Sequence, residues 1–345
     1  MIKYTDCPNN ATYEAFSKCY RHLLLHDNIM VSISGGADSD IILDMVIRVA
    51  REEDIPLDKF HFVWFNTGIE YQATQDHLKQ LEAKYGITIE RHRAIKPVPL
   101  GCKKHGQPFL SKQVSENIDR LQRHGFKWED EDFETLYKRY PKCRASLKWW
   151  CNEHGAKNNG NASNFDIAYN SYLKEFMIAN PPTFRISQKC CYGAKKDNSH
   201  KLLKEYGADL NVIGVRKAEG GLRATSYKSC FSDNHTAGNG NKLKDYDDYR
   251  PIFWFTDQDR KEYEEFYGIT HSRCYTEYGL KRTGCAGCPF GKDFEMELEN
   301  ARQFEPKLYT AISNIFKESY EYTRAYLKFR KEQKRKGNPE QLSFF

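Results

Sequence analysis

An apolar strand that runs into two glycines and then into an apolar helix constrains the fold of this chain more than any other feature. The segment is IMVSISGGADSDIILDMVIRVA, residues 29–50. Glycines after a buried strand let backbone N–H groups approach an anion closely, and the N-terminus of the following helix adds partial positive charge. The segment therefore predicts a phosphate-binding turn between a strand and a helix.

The turn itself, SGGADS at residues 34–39, carries polar side chains suited to an anion. Its two serine hydroxyls can donate hydrogen bonds, and Asp38 can cap the helix or help to hold Mg²⁺. Neither G-x-x-x-x-G-K-[ST] nor G-x-G-x-x-G occurs there, so the lysine of Walker-type phosphate sites is missing. A tight strand–helix turn without a ligand is the alternative interpretation.

Further apolar segments extend this strand–helix unit into a larger pattern. Helices are predicted over residues 10–26, 38–54 and 74–86, the last with Gly86 as its C-cap. Strands are predicted over 28–34, 60–68, 87–95 and 209–216, with 249–256 as another strand or a strand end. Alternating strands and helices predict an α/β fold with a doubly wound, mostly parallel sheet.

Two regions depart from the strand–helix pattern. Residues 100–180 are rich in Lys, Trp, Tyr and Asn and predict a helical insertion, and residues 293–335 predict charged helices. We therefore expect an α/β domain over 1–292 that contains the insertion, a helical segment over 293–335 and a flexible tail over 336–345.

Composition narrows the class of protein. The chain has 345 residues, of which 39% are hydrophobic, and a net charge of +6. It has no apolar run near the ~20 residues that a membrane span needs, and its N-terminus lacks the apolar core of a signal peptide. We expect a soluble cytoplasmic protein without a membrane partner. The mildly basic charge suits an anionic ligand but does not by itself indicate nucleic acid.

Eleven cysteines are a high number for such a chain, and their odd count argues against a disulfide framework. Two pairs stand out: adjacent Cys190 and Cys191, and the C-x-x-C formed by Cys285 and Cys288. Four thiolates can hold zinc or an iron–sulfur cluster, and adjacent cysteines suit a cluster better because they point in different directions. We favour a 4Fe–4S cluster; zinc, or buried cysteines plus a redox C-x-x-C, are the alternatives.

The SGGADS turn resembles the PP-loop of ATP pyrophosphatases, S-G-G-x-D-S. Enzymes of that family usually cleave ATP between the α and β phosphates and adenylate a substrate oxygen. Attack at the α-phosphorus needs no lysine at the γ-phosphate, which accounts for the missing Walker lysine. The residues that the resemblance implies for holding pyrophosphate and Mg²⁺ are Ser34, Gly35, Gly36, Asp38 and Ser39.

A C-C pair and a distant C-x-x-C behind a PP-loop also resemble the phosphoadenosine phosphosulfate (PAPS) reductase family in the broad sense. That family includes adenylylsulfate reductases and the ATP pyrophosphatases of DNA phosphorothioation, of Dnd and Ssp type. The similar segments are FNTGIEYQAT (65–74), CCYGAKK (190–196), VIGVRKAEGGLR (212–223) and YRPIFWFTDQD (249–259). The resemblance covers residues ~26–292 apart from the insertion, and it implies an adenine nucleotide α-hydrolase-like fold.

The family resemblance implies further roles. Thr67 and Gly68 lie near the adenosine, and Arg216 and Arg223 bind phosphate or the acceptor just after a strand, where ligands bind in doubly wound sheets. Lys195, beside the cysteine pair, belongs to the cofactor-binding residues and tunes the cluster electrostatically. The implied cluster ligands are Cys190, Cys191, Cys285 and Cys288.

The C-terminal region bears on the substrate. No cysteine follows Cys288, whereas sulfonucleotide reductases of the family carry a nucleophilic cysteine in an E-C-G-like tail. The last five residues, Gln341–Phe345, resemble the bacterial sliding-clamp peptide Q-L-[SD]-L-F, although an apolar C-terminus folded back on the domain is the alternative. A clamp peptide indicates work on DNA.

Together these patterns favour an ATP pyrophosphatase that uses ATP, Mg²⁺ and a 4Fe–4S cluster. It would adenylate an oxygen of a nucleic acid, DNA rather than tRNA, or of a nucleotide. Sulfur would then be inserted from a cysteine desulfurase or another sulfur donor. The rival hypotheses are a sulfonucleotide reductase with an unrecognised thiol and a non-catalytic, clamp-tethered nucleotide-binding subunit.

Overall fold

The computed structural model describes residues 3, 5–155, 160–220, 226–233, 245–291 and 293–337. Two compact units share the chain: unit 1 contains Met1–Ile95 and Ala194–Ala286, and unit 2 contains Lys96–Gly193 and Gly287–Phe345. Each unit is therefore assembled from two separate stretches of sequence.

Unit 1 is built on a six-stranded sheet in the order β3-β2-β1-β4-β6-β5. Neighbouring strands are parallel except for the edge strand β5, which is antiparallel to β6. The fold class predicted from the sequence, α/β with a doubly wound and mostly parallel sheet, is confirmed. The strands are β1 (Ile29–Ser32), β2 (Phe60–Asn66), β3 (Ile89–Arg93), β4 (Leu210–Val212), β5 (Phe231–Ser232) and β6 (Asp247–Tyr249).

The helices account for most of the remaining described residues. In chain order they are α1 (Asn10–Leu25), α2 (Ala37–Glu52), α3 (Gln72–Tyr85), α4 (Val98–His105), α5 (Lys112–Arg123), α6 (Phe133–Arg139), α7 (Arg144–Trp150), α8 (Leu173–Ala179), α9 (Lys189–Cys191), α10 (Asp197–Tyr206), α11 (Asp257–Tyr267), α12 (Arg273–Thr276), α13 (Phe294–Phe304), α14 (Pro306–Ile315) and α15 (Lys317–Gly337). A π-helical turn, Tyr192–Lys196, joins α9 to α10. In the described parts of the chain, no helix combines the length and the apolar character that crossing a membrane requires.

Alternating side chains of the central strand face the two sides of the sheet. Ile29 and Val31 belong to the larger hydrophobic core, which also contains the apolar residues of α1 and α2. Met30, between them, packs in a second core with Leu202 and Leu203 of α10. Because helices cover both faces of the sheet, β1 is apolar on both sides from Ile29 to Val31.

The end of β6 differs from the sequence prediction. A strand or strand end was expected over 249–256, but the strand finishes at Tyr249 and the chain turns. Pro251 has no N–H to continue a strand ladder, and the N–H of Phe253 donates to Arg250 O at 3.1 Å, which closes a turn. By contrast, Gly86 ends α3 in the left-handed conformation, as predicted.

Unit 2 joins the helical insertion to the three C-terminal helices. Its core contains Trp149 and Trp150 of α7, Phe176 of α8 and Tyr326 of α15. Gln107 connects the two stretches, because its side-chain oxygen accepts from the N–H of Ser319 at 2.9 Å. Helical structure is thus present in both regions where the sequence predicted it, and the two regions share one core.

Candidate active site

Residues 34–39, which we call the glycine turn, follow β1 and lead into α2 in unit 1, as predicted from the sequence. Gly35 has φ +69°, and a Cβ atom on it would lie 2.7 Å from Thr74 Cγ2 of α3. Both observations favour glycine, because the left-handed region and a contact this short each penalise a side chain. Gly36 is the N-cap of α2, with Ser39 completing the first turn of the helix.

The two serines of the turn hold its backbone N–H groups. Ser39 Oγ accepts from the N–H of Ser34 at 3.2 Å and of Gly36 at 3.1 Å, and donates to Gly36 O at 2.8 Å. Ser34 Oγ lies 3.1 Å from Ser39 Oγ. The hydroxyls and N–H groups that the sequence assigned to an anion are therefore gathered within a single turn.

Asp38 and Arg216, both predicted site residues, bind each other. Arg216 Nε lies 2.9 Å from Asp38 Oδ1, and Arg216 Nη1 lies 2.8 Å from Asp257 Oδ1. The Arg216 side chain is buried, whereas that of Asp257 is 85% exposed. Burial raises the pKa of Asp38, and the positive charge of Arg216 opposes that shift. Asp38 is thus the partner of a guanidinium rather than the helix cap.

The third group of predicted residues lies in the turn after β2. Thr67 is fully buried, and its Oγ1 donates to Glu70 Oε1 at 2.5 Å. Gly68 has φ +93°, and its N–H donates to Asn66 Oδ1 at 2.9 Å. The side chain of Asn66 therefore shapes this turn.

Cys285 also belongs to unit 1, where it contacts the Thr67 turn. Its Sγ lies 3.3 Å from Thr67 Oγ1, and the N–H of Ala286 donates to Ile69 O at 2.9 Å. Because the Thr67 hydroxyl donates to Glu70, the Cys285 thiol is the donor to Thr67. Burial raises the pKa of Glu70, while Lys195 lowers it. Lys195, which was predicted to tune the cluster electrostatically, thus interacts electrostatically with the carboxyl group of Glu70.

Sequence reasoning did not single out Tyr275 of α12 or Thr283, which also contact the glycine turn. Tyr275 Oη accepts from the N–H of Ala37 at 3.1 Å and from the N–H of Thr283 at 3.2 Å. Burial raises the pKa of Tyr275. Both residues are separated from the turn by more than two hundred residues of sequence and match no motif, so only the fold brings them there.

A buried ionic network, which the sequence did not predict, connects α2 to neighbouring segments of unit 1. Asp40 Oδ2 lies 3.0 Å from His77 Nε2 and 2.8 Å from His271 Nδ1, and Asp40 is fully buried. His271 Nε2 is in turn 3.1 Å from Glu264 Oε1. Burial lowers the pKa of His271, but the two carboxylates outweigh that effect and raise it to about 9. His271 is therefore a cation at neutral pH.

In unit 2, Cys190, Cys191 and Cys288 are joined by a further thiol, Cys102 of α4. A hydrogen bond with Cys102 raises the pKa of Cys190, which is also hydrogen-bonded to Cys191 and lies within electrostatic reach of Cys288. Helices α4 and α9 approach each other closely at Gly101, where a Cβ atom would lie only 3.0 Å from Cys190 Cα. Cys102 lies in no cysteine motif, so its sequence context gave no signal.

These thiols determine which metal chemistry the chain could support. Within the described ranges, no group of three or more His, Cys, Asp or Glu side chains has the spacing to hold one metal ion. Unit 2 nevertheless contains four cysteines, Cys102, Cys190, Cys191 and Cys288, that interact through their side chains or charges. A set made only of sulfur donors fits an iron–sulfur cluster, whose several irons accept ligands spread more widely than those of a single ion.

Two predicted features fall outside the described residues. These are Arg223, proposed to bind phosphate or the acceptor, and the clamp-like peptide Gln341–Phe345.

Comparison with known proteins identifies part of the chain. Residues 28–148 match the family model of the phosphoadenosine phosphosulfate reductase domain. The match begins just before β1 and ends within α7, so it covers about a third of the chain and includes the glycine turn and the Thr67 turn. It supports the resemblance found in the sequence at the level of this domain. No curated protein matches the chain.

Three solved structures are similar at low identity. PAPS reductase from Candida auris in a phosphate complex is 12% identical, with a TM-score of 0.40 over 78% of this chain and 87% of that one. FMN adenylyltransferase from Candida glabrata is 11% identical, with a TM-score of 0.38 over 87% and 75%. U34-tRNA thiolase NcsA from Methanococcus maripaludis with its [4Fe-4S] cluster is 12% identical, with a TM-score of 0.38 over 94% and 80%. Similarities of this size support no conclusion about activity.

Proposed function

We propose that this chain is an ATP pyrophosphatase that adenylates an oxygen of a nucleic acid or nucleotide so that sulfur can replace it. The observation that carries the proposal is the glycine turn, in which Gly35 and Gly36 follow a parallel strand and open α2 with two serine hydroxyls gathered around them. The match of residues 28–148 to the PAPS reductase domain supports a nucleotide ligand there.

The proposed chemistry has two steps. The acceptor oxygen attacks the α-phosphorus of ATP, the α–β P–O bond breaks, and pyrophosphate leaves. A sulfur nucleophile then attacks the adenylated centre, and AMP departs with the oxygen. The positive end of α2 would stabilise the charge that develops on the leaving pyrophosphate, and the serine hydroxyls would do so once they exchange their contacts within the turn for the ligand. The residues proposed to hold it are Ser34, Gly35, Gly36 and Ser39.

Arg216 is proposed to hold Asp38 in place and to offer its other edge to a phosphate. Its Nη1 is bound to Asp257, whose side chain is 85% exposed. Exposed ion pairs contribute little, so releasing Asp257 in favour of a phosphate costs little free energy. Thr67 and Gly68 are proposed to line the adenosine site, and Arg223 to contact the acceptor.

The proposed cofactors fit these residues to different degrees. Asp38 suits Mg²⁺ only through its second oxygen, because Oδ1 is bound to Arg216, so the ion would be held mainly by the nucleotide phosphates. A 4Fe–4S cluster bound by the cysteines would hold or relay the sulfur. The ligands proposed from the sequence remain Cys190, Cys191, Cys285 and Cys288.

DNA is the proposed acceptor in preference to tRNA, and a cysteine desulfurase or another donor is the proposed sulfur source. The support for DNA is the clamp-like peptide Gln341–Phe345. A labelled peptide of residues 336–345 should bind a bacterial sliding clamp in fluorescence anisotropy, and a peptide with both phenylalanines replaced by alanine should not. Equal binding of the two peptides would remove this argument for DNA.

The central experiment is an anaerobic incubation of the whole protein with [α-³²P]ATP, Mg²⁺ and a panel of DNA, tRNA and nucleotides. We expect labelled AMP and a labelled adduct with one acceptor class. Asp38→Asn should lower AMP formation at least about 100-fold, because the turn loses the carboxylate bound to Arg216. Asp58→Asn, an exposed carboxylate on the same unit, is the matched control. No AMP with any acceptor would refute the proposal.

A second candidate function, sulfonucleotide reduction, is favoured by one contact. The Cys285 thiol lies in the same unit as the glycine turn and donates to Thr67, which donates to Glu70, so a carboxyl is connected to a thiol through one hydroxyl. Such a thiol could attack the sulfur of PAPS and break its bond to the 5′-phosphate oxygen, which forms a thiosulfonate and releases adenosine 3′,5′-bisphosphate. Release of sulfite from PAPS in the presence of a thiol reductant, without ATP cleavage to AMP, would favour this alternative.

A further inference from the structure

Four hydroxyl groups surround the side of Gly36 on which a side chain would lie. A Cβ atom on this glycine would lie 2.9 Å from Thr283 Oγ1 and 3.2 Å from both Ser34 Oγ and Tyr275 Oη. Ser39 Oγ completes the group through its contact with Ser34 Oγ at 3.1 Å. We call these four side chains the hydroxyl ring. Ser34 and Ser39 belong to the turn, whereas Tyr275 and Thr283 come from the C-terminal part of unit 1.

The phenol of Tyr275 has its acceptor capacity filled. A phenolic oxygen accepts with two lone pairs and donates one proton. The N–H groups of Ala37 and Thr283 occupy both lone pairs, at 3.1 and 3.2 Å. Any further partner of this hydroxyl must therefore accept a proton, which is what a phosphate oxygen does.

Thr283 offers a second donor at the same place. Its Oγ1 is buried in contact with the Tyr275 hydroxyl, and this contact opposes the rise in the pKa of Tyr275. Within the described part of the chain, no hydrogen bond of normal geometry satisfies that Oγ1. A buried hydroxyl without a partner costs free energy unless a ligand or water satisfies it. Its position against Gly36, where no side chain fits, aims it at the start of α2.

The charges around the ring favour an anion. The N-terminus of α2, a helix of 16 residues, carries partial positive charge. The first turn of α2 carries two carboxylates, and both are compensated. Asp38 is paired with Arg216 at 2.9 Å, and Asp40, whose charge acts on Tyr275, is paired with His271 at 2.8 Å. The serine protons are used within the turn, where Ser34 Oγ donates to Ser39 Oγ and Ser39 Oγ to Gly36 O. The donors that remain for a phosphate at this helix N-terminus are therefore the hydroxyls of Tyr275 and Thr283.

We propose that Tyr275 and Thr283 are phosphate-binding residues, whose hydroxyls donate to the pyrophosphate portion of the nucleotide at the glycine turn. This inference rests on the proposed function and assigns two contacts of the same site. It also connects the anion to Cys285, because Thr283 and Cys285 are two residues apart and Cys285 contacts Thr67.

The test uses Thr283→Val, which keeps the shape of the side chain and removes only the hydroxyl. Binding of inorganic pyrophosphate and of ATP with Mg²⁺ to the full-length protein is measured by calorimetry under anaerobic conditions. We expect binding about tenfold weaker or more, the usual effect of one lost hydrogen bond to a charged group. Thr283→Ser should restore most of it, and Tyr275→Phe should weaken it similarly.

The matched control is Thr12→Val. Thr12 is fully buried in the same unit, and its Oγ1 also has no hydrogen-bond partner within the described residues. This substitution should leave pyrophosphate binding within twofold of the wild type. Thermal unfolding of all variants separates weakened binding from a weakened fold.

The outcomes separate the inference from the proposed function. If the wild type binds pyrophosphate and Thr283→Val binds it equally well, the inference is wrong and the hydroxyl ring only stiffens the turn. If Thr283→Val binds weakly but the wild type never forms AMP from ATP with any acceptor, the inference stands and the proposed function is wrong. If the wild type binds neither pyrophosphate nor ATP, both are wrong.

Discussion

At the scale of single residues, Gly35 shows how a local conformation and a tertiary contact act on one position. The sequence alone predicts that a glycine of this turn approaches an anion. The structure adds that the same residue approaches α3, because a Cβ on it would lie 2.7 Å from Thr74 Cγ2. Two separate penalties therefore apply to one substitution, and they can be measured apart.

We predict that Gly35→Ala lowers the free energy of unfolding by about 2–4 kcal/mol, from the left-handed backbone together with the contact with Thr74. Urea denaturation measures the loss. Gly207→Ala is the control, because Gly207 has φ +61° with nothing within 4 Å of a Cβ, and it should lose only the backbone part. Adding Thr74→Ser, which removes the contacting methyl group, should recover the difference. No recovery would contradict the contact.

His271 provides a prediction on pH. Its pKa rises from the usual 6.5 to about 9 because Asp40 and Glu264 hold the charged form. The charged form is favoured in the folded protein, so its contribution is complete below pH 6.5 and is lost as the pH rises through 9. We expect the free energy of unfolding to fall by roughly 1–3 kcal/mol over that window.

The measurement compares urea denaturation at several pH values for the wild type and His271→Gln. The variant should lack the fall between pH 6.5 and 9, because glutamine does not titrate. His124→Gln, an exposed histidine, should keep it. A variant curve parallel to that of the wild type would show that other groups cause the pH dependence.

At the scale of elements, the connection between α4 and α9 decides where the thiols of unit 2 meet. Gly106 ends α4 with φ +107°, and a Cβ on it would collide with the carbonyl oxygen of Arg185. The next residue, Gln107, donates to that same oxygen at 2.8 Å and pairs with Ile186. This short bridge leads from α4, which carries Cys102, to α9, which carries Cys190.

We predict that Gly106→Ala destabilises unit 2 by more than about 2 kcal/mol, because this backbone conformation is accessible almost only to glycine. It should also lower the iron content of the isolated protein, since α4 and α9 would separate. Gly125→Ala is the control: Gly125 also has positive φ, in the same unit, but nothing lies within 4 Å of a Cβ there. Normal iron content in Gly106→Ala would contradict the role of the bridge.

The strands and helices also show which parts of the structure sequence patterns can predict. The strand–turn–helix of residues 29–52 could be predicted because its signals, an apolar run and two glycines, are local. The strand or strand end predicted over 249–256 is found at Asp247–Tyr249, and the apolar residues that follow it form a turn, since apolar residues in a buried turn resemble those of a strand. Tyr275, Thr283 and Cys102 could not be predicted, because each acquires its position from contacts with distant segments and not from a neighbouring pattern.

At the scale of the whole molecule, the metal content is the property that separates the cofactor hypotheses. We predict that the protein isolated anaerobically is brown and contains about four iron and four sulfide per chain. Serine at Cys190, Cys191, Cys285 or Cys288 should lower the iron content, and serine at Cys230 should not. A colourless preparation with zinc and no iron would refute the cluster.

Cys102→Ser adds a separate result. Loss of iron in this variant would make Cys102 a cluster ligand, whereas unchanged iron would leave it a neighbour of Cys190 only.

The division of the chain into units lies beyond sequence patterns as well. Residues 96–193 and 287–337 are both recognisably helical, but helical periodicity says nothing about which helix covers which. Their common core around Trp149, Trp150 and Tyr326 depends on shape and on the entry and exit points of the insertion. The domain limits at residues 292 and 335 therefore remain predictions about segments of the sequence. The two compact units instead group residues by their contacts in the structure.

The two outer strands of the sheet in unit 1 affect the tendency of the chain to aggregate during synthesis in a crowded cell. An exposed sheet edge offers unpaired N–H and C=O groups to any other extended chain and so invites aggregation. Here β5 is only two residues long, and β3, with the sequence IERHR, presents charged side chains. At the β5 edge, a second nascent chain could form only a few backbone hydrogen bonds. At the β3 edge, pairing would require desolvation of charged side chains. The sheet is thereby protected against intermolecular strand pairing.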